Sequence, residues 1–240
     1  MNPKQLIIIG GGNSLSKFPQ NIWQTLSTKF TLACNHSYKD ITPTALVCAD
    51  GEFYQGKVDF DPTVQLWNKF NPVHRENLSK LPLIIALNTT QSLENQLLNT
   101  VFIKAHSHTW FRDKSLVKGF YCHALTGHLA LSLACYLLDF SGSIYLLGFD
   151  ANKTGNTHYY STMHRGSGYR DYYVNTDLNK LFLPYTTEKS LKIYNVSASS
   201  QINVFEKISV ISFLRKIEGY NYNQEKLRSY IRTKLNSQNP

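Results

Sequence analysis

Short, continuous apolar runs, many rich in β-branched residues, recur along the chain and restrict its fold more than any other feature. They are Gln5–Ile9, Thr31–Cys34, Ala45–Ala49, Leu83–Leu87, Val101–Lys104, Ser143–Leu147 and Leu191–Val196. Runs of this length that do not alternate with polar residues suit strands buried on both faces of a sheet. Between them Gln20–Thr28, Gln91–Leu98, Ala124–Leu138 and Asp177–Phe182 carry helical spacing. Strand and helix in alternation predict an α/β fold with an open, mostly parallel sheet, helices on both faces and right-handed crossovers. At 240 residues, 42% hydrophobic and 13% aromatic, the chain can build such a core without disulfide or structural metal, and disorder is excluded as its dominant state.

The chain reads as one domain over 1–202, with a lid at about 151–176, followed by a C-terminal basic helical segment over 203–240. In that segment Val204–Ile217 and Asn223–Leu235 have helical spacing. The second places Leu227, Tyr230, Ile231 and Leu235 at i, i+3, i+4 and i+8, and also carries Lys226, Arg228, Arg232 and Lys234. A helix docked on the core with a solvated charged face is one reading, and a membrane-surface or nucleic-acid contact is the other.

The formal charge of +9 and a pI near 9.3 imply an anionic partner without choosing among nucleotide, nucleic acid, glycan and membrane. The longest apolar stretch, Ala124–Leu138, contains His128 and falls short of the roughly 20 residues that span a bilayer. Leu6–Ile9 is too short for the apolar core of a secretory signal. A cytoplasmic protein with no transmembrane segment is therefore expected. Cys34, Cys48, Cys122 and Cys135 lack metal-ligand or redox spacing and are expected to be reduced thiols, mostly buried.

Gly10-Gly11-Gly12-Asn13-Ser14 follows the first strand directly. Glycines at such a turn let the backbone approach an anion, and N–H groups there can hold a phosphate; a plain strand-to-helix turn is the alternative. The run is neither the G-x-G-x-x-G dinucleotide fingerprint, whose third glycine would fall at Leu15, nor a Walker A loop.

Further segments join this loop in order: Cys34-Asn35-His36 and Cys48-Ala49-Asp50 at strand ends, Leu125-Thr126-Gly127-His128 opening the long helix, Gly148-Phe149-Asp150, and Ile193-Tyr194-Asn195-Val196-Ser197. Together, over about residues 5 to 205, they resemble the bacterial α-2,3/2,8-sialyltransferases (glycosyltransferase family 42). They also resemble a wider Rossmann-like group that includes flagellin-modifying glycosyltransferases, archaeal pterin pyrophosphokinases and short phage-encoded members. The resemblance implies a Rossmann-like sheet and a nucleotide held by Gly10, Gly11, Gly12, Asn13, Ser14, Asn35, Asp50, Thr126, Gly127, Gly148 and Asp150. It departs where that family places its catalytic histidine, because Tyr172 precedes Asn175-Thr176-Asp177 here, and an ordinary tyrosine is a poor base at neutral pH. Its paired phosphate-holding tyrosines correspond to Asn152 and His158.

The stretch His158 to Tyr173 carries His158, His164, Tyr159, Arg165, Arg170 and Asp171 among glycines, a composition suited to a substrate lid, with an ordinary solvated tyrosine-rich loop as the alternative. His158, His164 and Tyr172 are the candidate catalytic residues, and Tyr159, Arg165 and Arg170 the candidate phosphate clamp. No cofactor is required, though Asp50 and Glu52 could hold Mg²⁺ with the phosphates, against a plain Asp-Gly turn. His106 and His108 lack a third ligand at recognisable spacing.

The leading expectation is a glycosyltransferase-like transferase using a nucleotide-activated sugar and an acceptor hydroxyl on a glycan or modified DNA base. The alternative is a Mg-ATP-dependent pyrophospho- or phosphotransferase, and the third is a non-catalytic nucleic-acid or glycan binding protein. Homo-oligomerisation stays open.

Overall fold

The apolar runs lie edge to edge. In the computed structural model, which describes residues 2–64, 66–88, 96–106, 119–122, 125–151 and 177–237, they form one sheet. The elements in chain order are β1 (Gln5–Ile9), α1 (Ile22–Leu26), β2 (Thr31–Cys34), β3 (Ala45–Cys48), α2 (Gly51–Gln55), β4 (Lys57–Asp61), β5 (Leu66–Phe70) and α3 (Pro72–Ser79). Next come β6 (Ile84–Leu87), β7 (Thr100–Ile103), β8 (Ala105–His106), β9 (Phe120–Tyr121), α4 (Thr126–Leu137) and β10 (Gly142–Leu147). The last described elements are α5 (Leu178–Phe182), β11 (Leu191–Asn195), β12 (Glu206–Lys207), α6 (Val210–Ile217) and α7 (Gln224–Asn236).

The main sheet has eight strands in the order β12-β11-β10-β1-β2-β3-β6-β7, and every neighbouring pair is parallel. Strand order reverses at β1, with β2 on one side and β10 on the other, so the crevice expected of such sheets opens at their carboxyl ends. Successive side chains of β1 feed opposite faces. Leu6 and Ile8 join a core made with α4 and α7, whereas Ile7 and Ile9 join one made with α1 and α6. Phe53, Tyr54 and Leu78, from α2 and α3, cover Leu46, Ile84 and Ala86. The open α/β sheet with helices on both faces is thus the fold.

Several local expectations differ from the structure. The segment Val204–Ile217 is not one helix: Glu206–Lys207 adds a short strand beside β11, and α6 starts at Val210, where the Ser209 hydroxyl accepts the Ser212 N–H. α1 stops at Leu26 because the hydroxyls of Ser27 and Thr28 turn back to the carbonyls of Gln24 and Thr25. Within Gln91–Leu98, residues 96–98 are not helical, and 91–95 lie outside the described residues. The antiparallel pair β4–β5 was not expected; Asn71 ties it down by donating to Asp59 while its side-chain oxygen caps α3.

α7 is docked on the core through Leu227, Ile231 and Leu235. Several of its polar side chains reach the amino ends of the strands. Gln224 donates to the Lys29 carbonyl (2.9 Å), Arg228 to that of Thr44 and Arg232 to that of Pro82 (both 3.4 Å). Lys234 meets Asp139 at 2.6 Å. Lys29, only 5% exposed, donates to the last carbonyl of α6 at Ile217 (3.0 Å) and to Asn221 (2.9 Å). Burial pulls its pKa below the ordinary lysine value, and the nearby Glu218 carboxylate offsets part of that shift. Among the described residues no helix is long and apolar enough to cross a membrane.

Candidate functional site

The carboxyl ends of β1, β2, β3 and β10 and the start of α4 meet at one end of the sheet. The glycine turn after β1 lies directly on the end of β10. The Gly10 N–H donates to the Leu147 carbonyl at 2.7 Å and the Gly12 N–H to that of Gly148 at 2.8 Å. A Cβ on Gly10 would stand 2.7 Å from the Gly148 oxygen. One on Gly12 would stand 2.6 Å from that same oxygen and 2.7 Å from the Asp150 carboxylate. Two backbones in contact therefore account for both glycines. Asp150, only 3% exposed, accepts the Ser14 N–H at 2.6 Å and the Ser14 hydroxyl at 2.5 Å, and so caps the 3₁₀ turn Asn13–Lys17. The Ser37 hydroxyl holds the Gly10 carbonyl at 2.6 Å.

The N–H groups of Gly10, Gly12 and Ser14 are therefore engaged inside the protein. Those of Gly11 and Asn13, both half-buried, have no partner among the described residues. Gly148 has φ 68, in the left-handed region, and an added Cβ would strike the Leu15 side chain at 2.8 Å.

Across from this turn, Asn35 ends β2 with φ 48, a left-handed conformation that asparagine tolerates better than most side chains. Its side-chain oxygen accepts the Thr126 hydroxyl at 3.4 Å, linking the β2 end to the α4 start. α4 has no side-chain cap: Leu125 precedes it in extended conformation, and Leu125 O takes the N–H groups of His128 and Leu129. The Thr126 and Gly127 N–H groups stand at the positive end of this twelve-residue helix, a setting that favours an anion.

Asp50 ends β3 and caps α2, its Oδ1 accepting the N–H groups of Glu52 (3.0 Å) and Phe53 (3.3 Å). Among the described residues no three His, Cys, Asp or Glu side chains gather as a metal site. His158, Tyr159, His164, Arg165, Arg170 and Tyr172 lie outside the described residues, as does His108.

Three groups that carried no assigned role in the sequence also shape this end of the sheet. Phe149 sits between Gly10 and Gly127. His128, fully buried in the first turn of α4, donates from Nε2 to the Leu181 carbonyl at 3.2 Å. Its ring meets the edges of Phe182 and Tyr185 at 5.3 and 5.4 Å. A lone imidazole in an apolar helix was the available signal for that contact. His74, beneath the β2 and β3 loops, donates from Nε2 to the Phe53 carbonyl, so Nδ1 accepts the Tyr38 hydroxyl, each at 3.1 Å.

Burial lowers the His74 pKa. The Phe53 carbonyl and Asp59 oppose that shift, and Lys39 and Arg75 reinforce it. The unfolded imidazole titrates near ~6.5. Below that pH the unfolded chain binds the proton more readily, so stability falls as pH drops through this window and recovers as pH rises. Thermal unfolding between pH 5 and 8 should show a lower midpoint on the acid side, with part of the difference removed by His74→Gln. The thiols of Cys34, Cys48 and Cys135 are buried and uncrosslinked, and burial pushes Cys34 up to about 12.

Compared with known proteins, the chain matches no family model, no curated protein and no solved structure.

Proposed function

We propose that the chain is a nucleotide-dependent, glycosyltransferase-like transferase, passing a sugar from a nucleotide-activated donor to a hydroxyl on a glycan or modified DNA base. One observation carries the reading. The uncapped start of α4 faces left-handed Asn35 at the carboxyl end of an all-parallel sheet, beside the place where strand order reverses. Open α/β sheets bind ligands at that place, and an open helix start favours a phosphate. On this reading the leaving phosphate lies against the Thr126 and Gly127 N–H groups. The N–H groups of Gly11 and Asn13 complete the opposite wall, and Asn35 contacts the nucleoside. The hydrogen-bonded set of Gly10, Gly12, Ser14, Gly148 and Asp150 holds that wall in place. Proton relay is assigned to His158 or His164 and the diphosphate clamp to Arg165, Arg170 and Tyr159, with Tyr172 the remaining candidate base.

The test is a thermal-shift panel with CMP, CDP, UDP, GDP and ATP, each with Mg²⁺ or with EDTA. A ligand at 100 times its dissociation constant adds about 2.7 kcal/mol, which raises the midpoint of a chain this size by roughly 5–10 °C. A metal-independent shift with one nucleoside mono- or diphosphate is the expected result. A shift only with ATP and Mg²⁺ would replace this reading with a pyrophosphotransferase, and no shift would replace it with a non-catalytic binding protein.

A further inference from the structure

We propose that Phe149 is a positioning residue: its ring sets the gap between the glycine turn and the start of α4, the two walls of the phosphate site. The inference rests on the reading above. One edge of the ring, Cδ2 and Cε2, would lie 3.1 Å from a Cβ on Gly10. Cε1 and Cζ would lie 3.0 and 3.1 Å from a Cβ on Gly127. Both walls therefore touch the same aromatic ring, and each does so at a residue with no side chain. The backbone that carries the ring is fixed from beneath. The Phe149 carbonyl accepts the Ser200 hydroxyl at 2.6 Å and the Asn195 amide at 3.3 Å. Gly148 and Ala151, with φ 68 and 54, turn the chain sharply on either side. Phe149 is 7% exposed, and its ring packs edge to face with Phe182 of α5 at 6.5 Å. A ring held at its base and touched on two sides acts as a spacer, and its width becomes the distance between the open N–H groups of the two walls.

The experiment compares the wild-type chain with Phe149→Leu, Gly127→Ala, the double variant and Ile144→Val. Ile144 lies on β10, the strand that leads into Phe149, and is fully buried, so Ile144→Val is a control for simple loss of packing. Two quantities are read: affinity for the nucleotide that shifts the wild type most, and amide hydrogen exchange in peptides covering residues 10–15 and 125–131. Phe149→Leu should weaken binding about ten-fold, the size typical of coupling between side chains in contact. It should also speed exchange in both peptides together. Gly127→Ala should weaken binding although alanine suits a helix better than glycine, because its Cβ pushes the ring. The double variant should recover part of that loss, since the smaller leucine makes room. Ile144→Val should lower the midpoint with affinity unchanged.

Equal affinity in Phe149→Leu and wild type, faster exchange in only one peptide, or a double variant worse than the sum of the single ones would overturn the spacer role. Should no nucleotide shift the wild type, the transferase reading fails, and the paired exchange response alone decides whether the ring spaces the two walls.

Discussion

Gly12→Ala should remove a large part of the stability of this chain, about 3–5 kcal/mol, seen as a fall of roughly ten degrees in the thermal midpoint. The added methyl would lie 2.6 Å from the Gly148 carbonyl oxygen and 2.7 Å from the Asp150 carboxylate. Neither can yield cheaply. The first is backbone at the end of a central strand and accepts the Gly12 N–H itself, and the second is held by Ser14. Gly219→Ala is the internal comparison. Gly12 has φ −66, which any residue adopts, whereas Gly219 has φ 79 and a methyl there meets nothing within 4 Å. Only the backbone term remains, about 1–2 kcal/mol. Circular-dichroism melts of the two variants separate steric cost from conformational cost, and similar losses would show that the contact with β10 is not what requires glycine at position 12.

Asp150→Ala should cost nearly as much, about 3 kcal/mol, because it removes two hydrogen bonds to a carboxylate and leaves the half-buried Ser14 N–H without its acceptor. Asp150→Asn should lie between. The amide oxygen can still accept the Ser14 N–H and its NH2 can donate to the Ser14 hydroxyl oxygen, so what is lost is the extra strength of bonding to a charged carboxylate. Urea unfolding measures the loss, and exchange at the Ser14 amide locates it. If the 3₁₀ turn after the glycines depends on this cap, Ser14 loses protection in both variants, more so in Asp150→Ala. The same variants should fail to bind nucleotide, since Gly11 and Asn13 flank residues that this carboxylate positions.

Seven of the eight strands of the main sheet were legible because they are mostly apolar on both faces, and residues such as Ile7 and Ile8 must both be buried whichever way they point. The hairpin was not legible. Lys57–Asp61 and Leu66–Phe70 mix charge with apolar residues over a bulged register, and Phe70 is more than half exposed, so neither strand has the two-sided burial that marks the others. β12 escaped notice because Glu206-Lys207 is a charged edge pair, readable only from its place beside β11.

At the site, the sequence located the glycine turn, Asn35 and the Thr126-Gly127 helix start. It could not separate the glycine whose N–H is left open from those packed against protein, because that distinction depends on Gly148, Phe149 and Asp150, more than a hundred positions away. Phe149 reads as an ordinary core aromatic until the two glycines beside its ring are seen. Asp50 looked like a metal or nucleotide ligand, and in the structure its oxygen caps α2.

The grip of α7 on the carbonyls of Lys29, Thr44 and Pro82 also has a consequence for how the chain is made. These acceptors all precede β6, and β1 has β10 as one of its two neighbours. While a ribosome is still adding residues before α7, the early strands lack a partner on one side and a cover on one face. Contacts between distant parts of a chain form late and slowly. The segment carrying β1 to β7 therefore emerges as strands with uncovered apolar faces, and aggregation should be strongest in chains interrupted before α7.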